Sequence, residues 1–173
     1  MSKWSPPQGG NSPLEADHGT RVAKGSCSAH GRRVVVIASE FNDSVVAQLL
    51  EGAVEAWVKH GGAAAELLVV RVPGAFELPV AALQLARSEA YEAIVALGCV
   101  IRGDTPHFEY VAGECARGLQ QVACATGVPV SFGVLTVESA AQAQERASLT
   151  QGNKGAEAME VALEMADLLA KLP

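Results

Sequence analysis

Four continuous apolar runs constrain this chain more than anything else in it: RRVVVIAS (32–39), AELLVVRV (65–72), EAIVALGCVI (92–101) and VPVSFGVLTV (128–137). Each reads as a strand buried on both faces, the habit of parallel strands covered by helices. Helical spacing fills the intervals. Val46, Leu49, Leu50, Ala53 and Trp57 recur on one face of a first helix, which Asn42 or Asp43 is placed to cap and Gly61-Gly62 to stop. An Ala/Leu-rich stretch to about Arg87 gives a second. Thr105 is placed to cap a third, with Pro106 at its first position. Ser139 and Gln142 have the spacing of a capping box for a fourth. Met159, Ala162, Leu163, Ala166 and Leu169 share one face of the last. Strands alternating with helices predict an α/β chain, a three-layer flavodoxin-like sandwich around a four-stranded parallel sheet.

A length of 173 residues suffices for one buried core and is short for two. Residues 1–30, with SPPQGGNSP near their start, keep no period and read as a flexible N-terminal tail, leaving residues 31–173 as the domain. The TRVAKGS stretch (20–26) retains the pattern of a short strand. A net charge of −6 without a basic patch argues against a nucleic-acid partner. No apolar run has the length of a membrane span, and the N-terminus lacks the pattern of a secretory signal. Cys27, Cys99, Cys115 and Cys124 form no metal-binding spacing, so no metal site is expected. Cys99, Cys115 and Cys124 sit in apolar segments and read as reduced, buried thiols of a cytoplasmic protein.

Open parallel sheets bind ligands beyond the carboxyl ends of their strands. Here those ends are SEFND, VPGAFE, IRGDTPH and LTVES. Gly103, Asp104 and Thr105 lead into a helix start that favours an anion. His107, in that first turn, suits proton transfer near neutral pH, although a solvated histidine beside a helix cap has the same spacing. Glu77 follows a Gly-Ala-Phe turn, where a carboxylate either accepts hydrogen bonds from sugar-like hydroxyls or answers a helix dipole. Phe41 either stacks on a flat heterocycle or enters the core. Arg146 and Lys154 bracket a loop that is suited to a phosphate or simply solvated. The Arg102–Asp104 tripeptide matches an adhesion motif by composition alone. Dinucleotide, P-loop and serine-hydrolase glycine motifs are absent.

In sequence order, SEFND, VPGAFELP, ALGCVIRGDTPHFEYVA, PVSFGVLTVES, QERA and GNKGAEAMEVALEMA resemble the lumazine synthase family, from about Val34 to Leu169. The resemblance implies a transferase of riboflavin biosynthesis that condenses 5-amino-6-(D-ribitylamino)uracil with 3,4-dihydroxy-2-butanone 4-phosphate. It implies neither cofactor nor metal. Phe41, with Asn42 beside it, would stack on the pyrimidine, and Glu77, in the turn with Ala75, would bind ribityl hydroxyls. Val100 and Ile101 would flank the ring with backbone groups. Asp104 and Thr105 would contact the butanone phosphate, and His107 would transfer protons. A neighbouring subunit would supply Phe132, Arg146 for the phosphate and Lys154 for the pyrimidine. A homo-oligomer follows, a pentamer or a 60-subunit icosahedral shell of pentamers, in which TRVAKGS adds to a neighbour's sheet.

Two departures stand out. Cys99 replaces a threonine common in the family, and RASLTQGNKG (146–155) replaces RAGTKAGNKG, removing a basic residue at Thr150. Besides the enzyme, the residues leave open a catalytically quiet protein that holds a flavin or lumazine, and a shell that encloses cargo.

Overall fold

The computed structural model describes residues 22–173. Strands β1 (Val34–Ser39), β2 (Leu68–Val72), β3 (Ala93–Ile101) and β4 (Val130–Val137) form one parallel sheet in the order β2-β1-β3-β4. The helices are α1 (Asp43–Lys59), α2 (Leu78–Arg87), α3 (His107–Thr126), α4 (Ala140–Ala147) and α5 (Lys154–Leu169). This is the expected three-layer α/β architecture. The apolar runs are continuous because successive side chains enter two different cores. Val34, Val36 and Ala38 of β1 and Val95 and Leu97 of β3 pack with α1, α4 and α5. Val35, Ile37, Ile94 and Ala96 pack on the other face, with α2 and α3.

The second strand departs from that pattern. Ala64–Glu66 forms a 3₁₀ turn, and β2 begins only at Leu68. Leu68 is 46% exposed, because β2 lies at the sheet margin and pairs with β1 alone. The third helix also starts later than expected. It opens at His107 with Pro106 in the cap position and no side-chain cap, so Thr105 does not serve as one. Cys124, expected to be buried, is exposed. The buried stripe of α3 runs through Cys115, Leu119 and Val122, and a residue nine positions past Cys115 falls on the opposite side of a 3.6-residue helix. Ser139 does cap α4, accepting from the Gln142 N–H at 3.3 Å. The return bond goes to Glu138 N–H instead of the cap residue's own, at 2.9 Å.

Asn153 holds three helices together. Its Oδ1 accepts from the N–H groups of Gly155 (2.8 Å) and Ala156 (3.0 Å), capping α5. Its amide donates to Gln48 O of α1 and Ala147 O at the end of α4. The helices can approach this closely because a Cβ on Gly155 would lie 1.9 Å from Leu49 O, and one on Gly52 would lie 2.3 Å from the Asn153 side chain. Asn153→Ala removes the cap and strips the Ala147 carbonyl of its buried donor. A loss of about 2–3 kcal/mol is expected. Thermal denaturation should show it as a Tm lower by roughly 4–12 °C.

Residues 1–21 of the expected tail, and with them Thr20 and Arg21 of TRVAKGS, lie outside the described residues. From Lys24 to Arg32 the chain runs along α5. Asp167 accepts from Ser26 N–H (2.7 Å), Ser26 Oγ (2.9 Å), Arg32 (2.8 Å) and Lys171 (2.7 Å). Lys171 first, then Ser26, holds this carboxyl well below its ordinary 3.8. A depressed folded pKa gives stability that is present above the unfolded value and lost as pH falls. Asp167→Asn should therefore melt below the wild type at pH 7, with the gap narrowing below about pH 4, in melts taken across that range.

Candidate active site

The carboxyl ends of β1, β2 and β3 meet the start of α3 around a pocket of about 740 Å³. Of the residues expected to bind or react, Phe41, Ala75, Glu77, Val100, Ile101, Thr105 and His107 line it. Phe41 leaves β1 with its N–H on Pro73 O at 3.0 Å, and the residue is 70% exposed. It therefore presents an aromatic face to the pocket and does not enter the core. Asn42 next to it has positive φ, 59°, a conformation in which asparagine is tolerated. Its side chain does not cap α1. The amide donates instead to Cys99 O at 2.9 Å, tying the rim of β1 to β3 across the sheet.

On the facing side, Ala75–Glu77 forms a 3₁₀ turn between Pro73-Gly74 and α2. Ala75 is buried, Phe76 projects, and the half-buried Glu77 lines the pocket. Glu77 is thus set on a turn that α2 anchors through Leu78, which is wholly buried. Cys99 also lines the pocket while remaining 2% exposed. Burial pushes its thiol up to about 11, so it contributes shape and not a thiolate nucleophile near neutral pH.

His107 is the first residue of α3 and is exposed. The loop from Gly103 to Pro106 delivers it. Asp104 lies in this loop, exposed, and is not among the residues that line the pocket. Arg102, at the loop's base, donates through Nε to Glu138 and through its terminal nitrogen to Glu109, both at 2.7 Å. Its guanidinium carbon lies 4.2 Å from the centre of the Phe108 ring. The two carboxylates, Glu109 first, raise its pKa above the ordinary value. Nothing in the spacing of IRGDTPH marks Arg102 as the residue joining three elements, because Glu138 is distant in sequence.

Phe132, Arg146 and Lys154 are brought together elsewhere. They line a second groove of about 560 Å³ along the unpaired edge of β4, beside α5. The two cavities share no lining residue. Phe132 is 45% exposed. Lys154 is engaged by Glu157 at 2.7 Å. Arg146, exposed in the last turn of α4, has no ion-pair or hydrogen-bond partner among the described residues. One surface thus offers a ring, a carboxylate and a histidine, and the other a ring and an unengaged guanidinium. A guanidinium suits a phosphate through its planar fork.

Among the described residues, no cluster of three or more histidine, cysteine or acidic side chains is placed to hold a metal. No described helix is long and apolar enough to cross a membrane. The family model for 6,7-dimethyl-8-ribityllumazine synthase matches residues 31–170. That span contains all four strands and every residue of both cavities.

Proposed function

The chain belongs to the 6,7-dimethyl-8-ribityllumazine synthase family, whose chemistry is lumazine formation in riboflavin biosynthesis, and from that footing we propose the reaction it performs. It condenses 5-amino-6-(D-ribitylamino)uracil with 3,4-dihydroxy-2-butanone 4-phosphate, releasing 6,7-dimethyl-8-ribityllumazine, phosphate and water. The observation that carries this reading is the placement of His107 at a pocket that also holds an exposed ring, Phe41, and a carboxylate, Glu77.

In the proposed complex Phe41 stacks on the pyrimidine, Glu77 accepts from ribityl hydroxyls, and backbone groups of Val100 and Ile101 meet the ring edge. Asn42 keeps Phe41 in place through its bond to Cys99 O, and Ala75 forms the floor beside Glu77. Asp104 and Thr105 receive the phosphate end of the second substrate. The free amine attacks the ketone, and the carbinolamine loses water to give the imine. Phosphate is then eliminated to leave an enol that becomes a ketone, and the second amine adds to that carbonyl and closes the ring with loss of a second water. Each step moves a proton, and His107 carries it. Holding the two substrates together supplies the larger share, since proximity and orientation are worth about 7–11 kcal/mol.

The separation of the two cavities supports a shared site, in which the β4-edge groove of one copy closes the His107 pocket of another with Phe132, Arg146 and Lys154. We propose a homo-oligomer on that basis, a pentamer or a shell of pentamers, with residues 31–173 as the catalytic domain, the 24–30 stretch packed on its last helix, and the cytoplasm as its place. Purified protein mixed with the two substrates should produce lumazine fluorescence above the uncatalysed background. Retained ligand binding without turnover would instead make it a binding protein built on the synthase fold.

A further inference from the structure

The loop that delivers His107 has few fixed points of its own. Among the described residues, no backbone hydrogen bond is made by the N–H or carbonyl of Gly103, Asp104 or Thr105. Around Gly103, apart from its chain neighbours, no atom of the described residues lies within 4 Å of where a Cβ would stand. What bounds the loop is Arg102 on one side and the first turn of α3 on the other. Arg102 has its N–H on Val137 O at 2.9 Å, so its backbone continues the pairing of β3 with β4. Its side chain then spans to Glu138, immediately before the Ser139 cap of α4, and to Glu109 in the first turn of α3. The guanidinium face covers Phe108, the residue next to His107 and itself a pocket wall.

We propose that Arg102 is a positioning residue for the reaction, acting through His107. Resting on the lumazine synthase reading given above, it fixes the first turn of α3 against the end of β4 and so sets where the imidazole stands. Lysine cannot replace it fully, because a point charge has no fork to reach both carboxylates and no plane to lie on Phe108.

The ion pairs are exposed, with 37% of the Arg102 side chain and 62% and 61% of the Glu109 and Glu138 side chains accessible. Pairs of this kind contribute little to global stability. A displacement of about 1 Å at a catalytic group, by contrast, costs roughly 10²-fold in rate. The two scales separate positioning from folding. Arg102→Gln should leave particle size intact and Tm within a few degrees of wild type, while kcat falls roughly 10–100-fold. KM for the ribitylaminouracil should stay within about threefold. Glu109→Gln, which releases only one arm, should cost less, and Arg102→Lys should fall between Gln and wild type.

The deciding measurement is a double-mutant cycle with His107→Ala, because groups that act as a unit are not additive. If Arg102 works through His107, then Arg102→Gln should change kcat less than about twofold in the His107→Ala background. Full multiplicative loss in that background, or unchanged kcat in the single variant, would overturn the proposal. An inactive wild type under the same assay would overturn the reaction reading instead, so the two failures are distinguishable. Should Arg102→Gln fold poorly, Glu109→Gln in the same cycle gives the answer.

Discussion

Replacing Arg146 by alanine is expected to reduce kcat/KM for the butanone phosphate by roughly 10²–10⁴-fold, which corresponds to losing two charge-assisted hydrogen bonds of about 1.5–3 kcal/mol each. The size of the effect follows from what surrounds the residue. Of the two cations in the β4-edge groove, Lys154 is held by Glu157 at 2.7 Å, and Arg146 has no partner among the described residues. Thr150, in the neighbouring loop, carries no charge to substitute. A phosphate dianion placed there would therefore depend for its countercharge on one guanidinium, beside the contacts proposed for Asp104 and Thr105. Since the side chain is exposed, its loss should leave the folded chain and its Tm unchanged. Arg146→Lys should recover part of the rate, keeping the charge and losing the bidentate geometry. Steady-state kinetics with the butanone phosphate varied will decide the matter. A change of less than about threefold in kcat/KM would mean that the phosphate is held elsewhere.

The second large effect is expected at His107. Alanine should lower kcat by about 10²–10⁴-fold, the usual worth of a general acid–base, without abolishing turnover. Both substrates would still be held together, and that share of the barrier does not depend on the imidazole. KM values should move little. A folded, assembled His107→Ala protein with no activity above the uncatalysed background would show that proton transfer, not proximity, dominates the barrier.

Much of this was legible from local patterns. Continuous apolar runs and 3.6-residue spacing are short-range signals, so the strands, the helices and the faces of α1 and α5 followed directly from them. The rule that parallel sheets bind at strand carboxyl ends was enough to select Phe41, Glu77 and His107 as rim residues. The misjudged positions have a common origin. β2 carries the residues of an interior strand, but sheet order puts it at the margin and exposes Leu68. Cys124 has apolar neighbours in sequence, but the rotation of α3 turns it to solvent. Asn42 has the right type and place for a cap, yet Cys99 O, far along the chain, takes its amide.

Asn153 and Arg102 make the same point from the functional side. Asn153 stands beside Lys154, and as a sequence symbol it is merely polar. Only the folded chain brings Gln48 O and Ala147 O to its amide. Likewise Glu138 and Glu109 become partners of one guanidinium only when β3, β4 and α3 end side by side.

The sequence by itself determined the α/β class, the order of elements and which strand ends carry reactive groups, because these depend on periodicity and turn chemistry within short windows. The tertiary structure alone decided which side chains are exposed and which polar groups already have partners. Those properties are set by contacts between residues far apart in the chain, whose pairing no local pattern encodes.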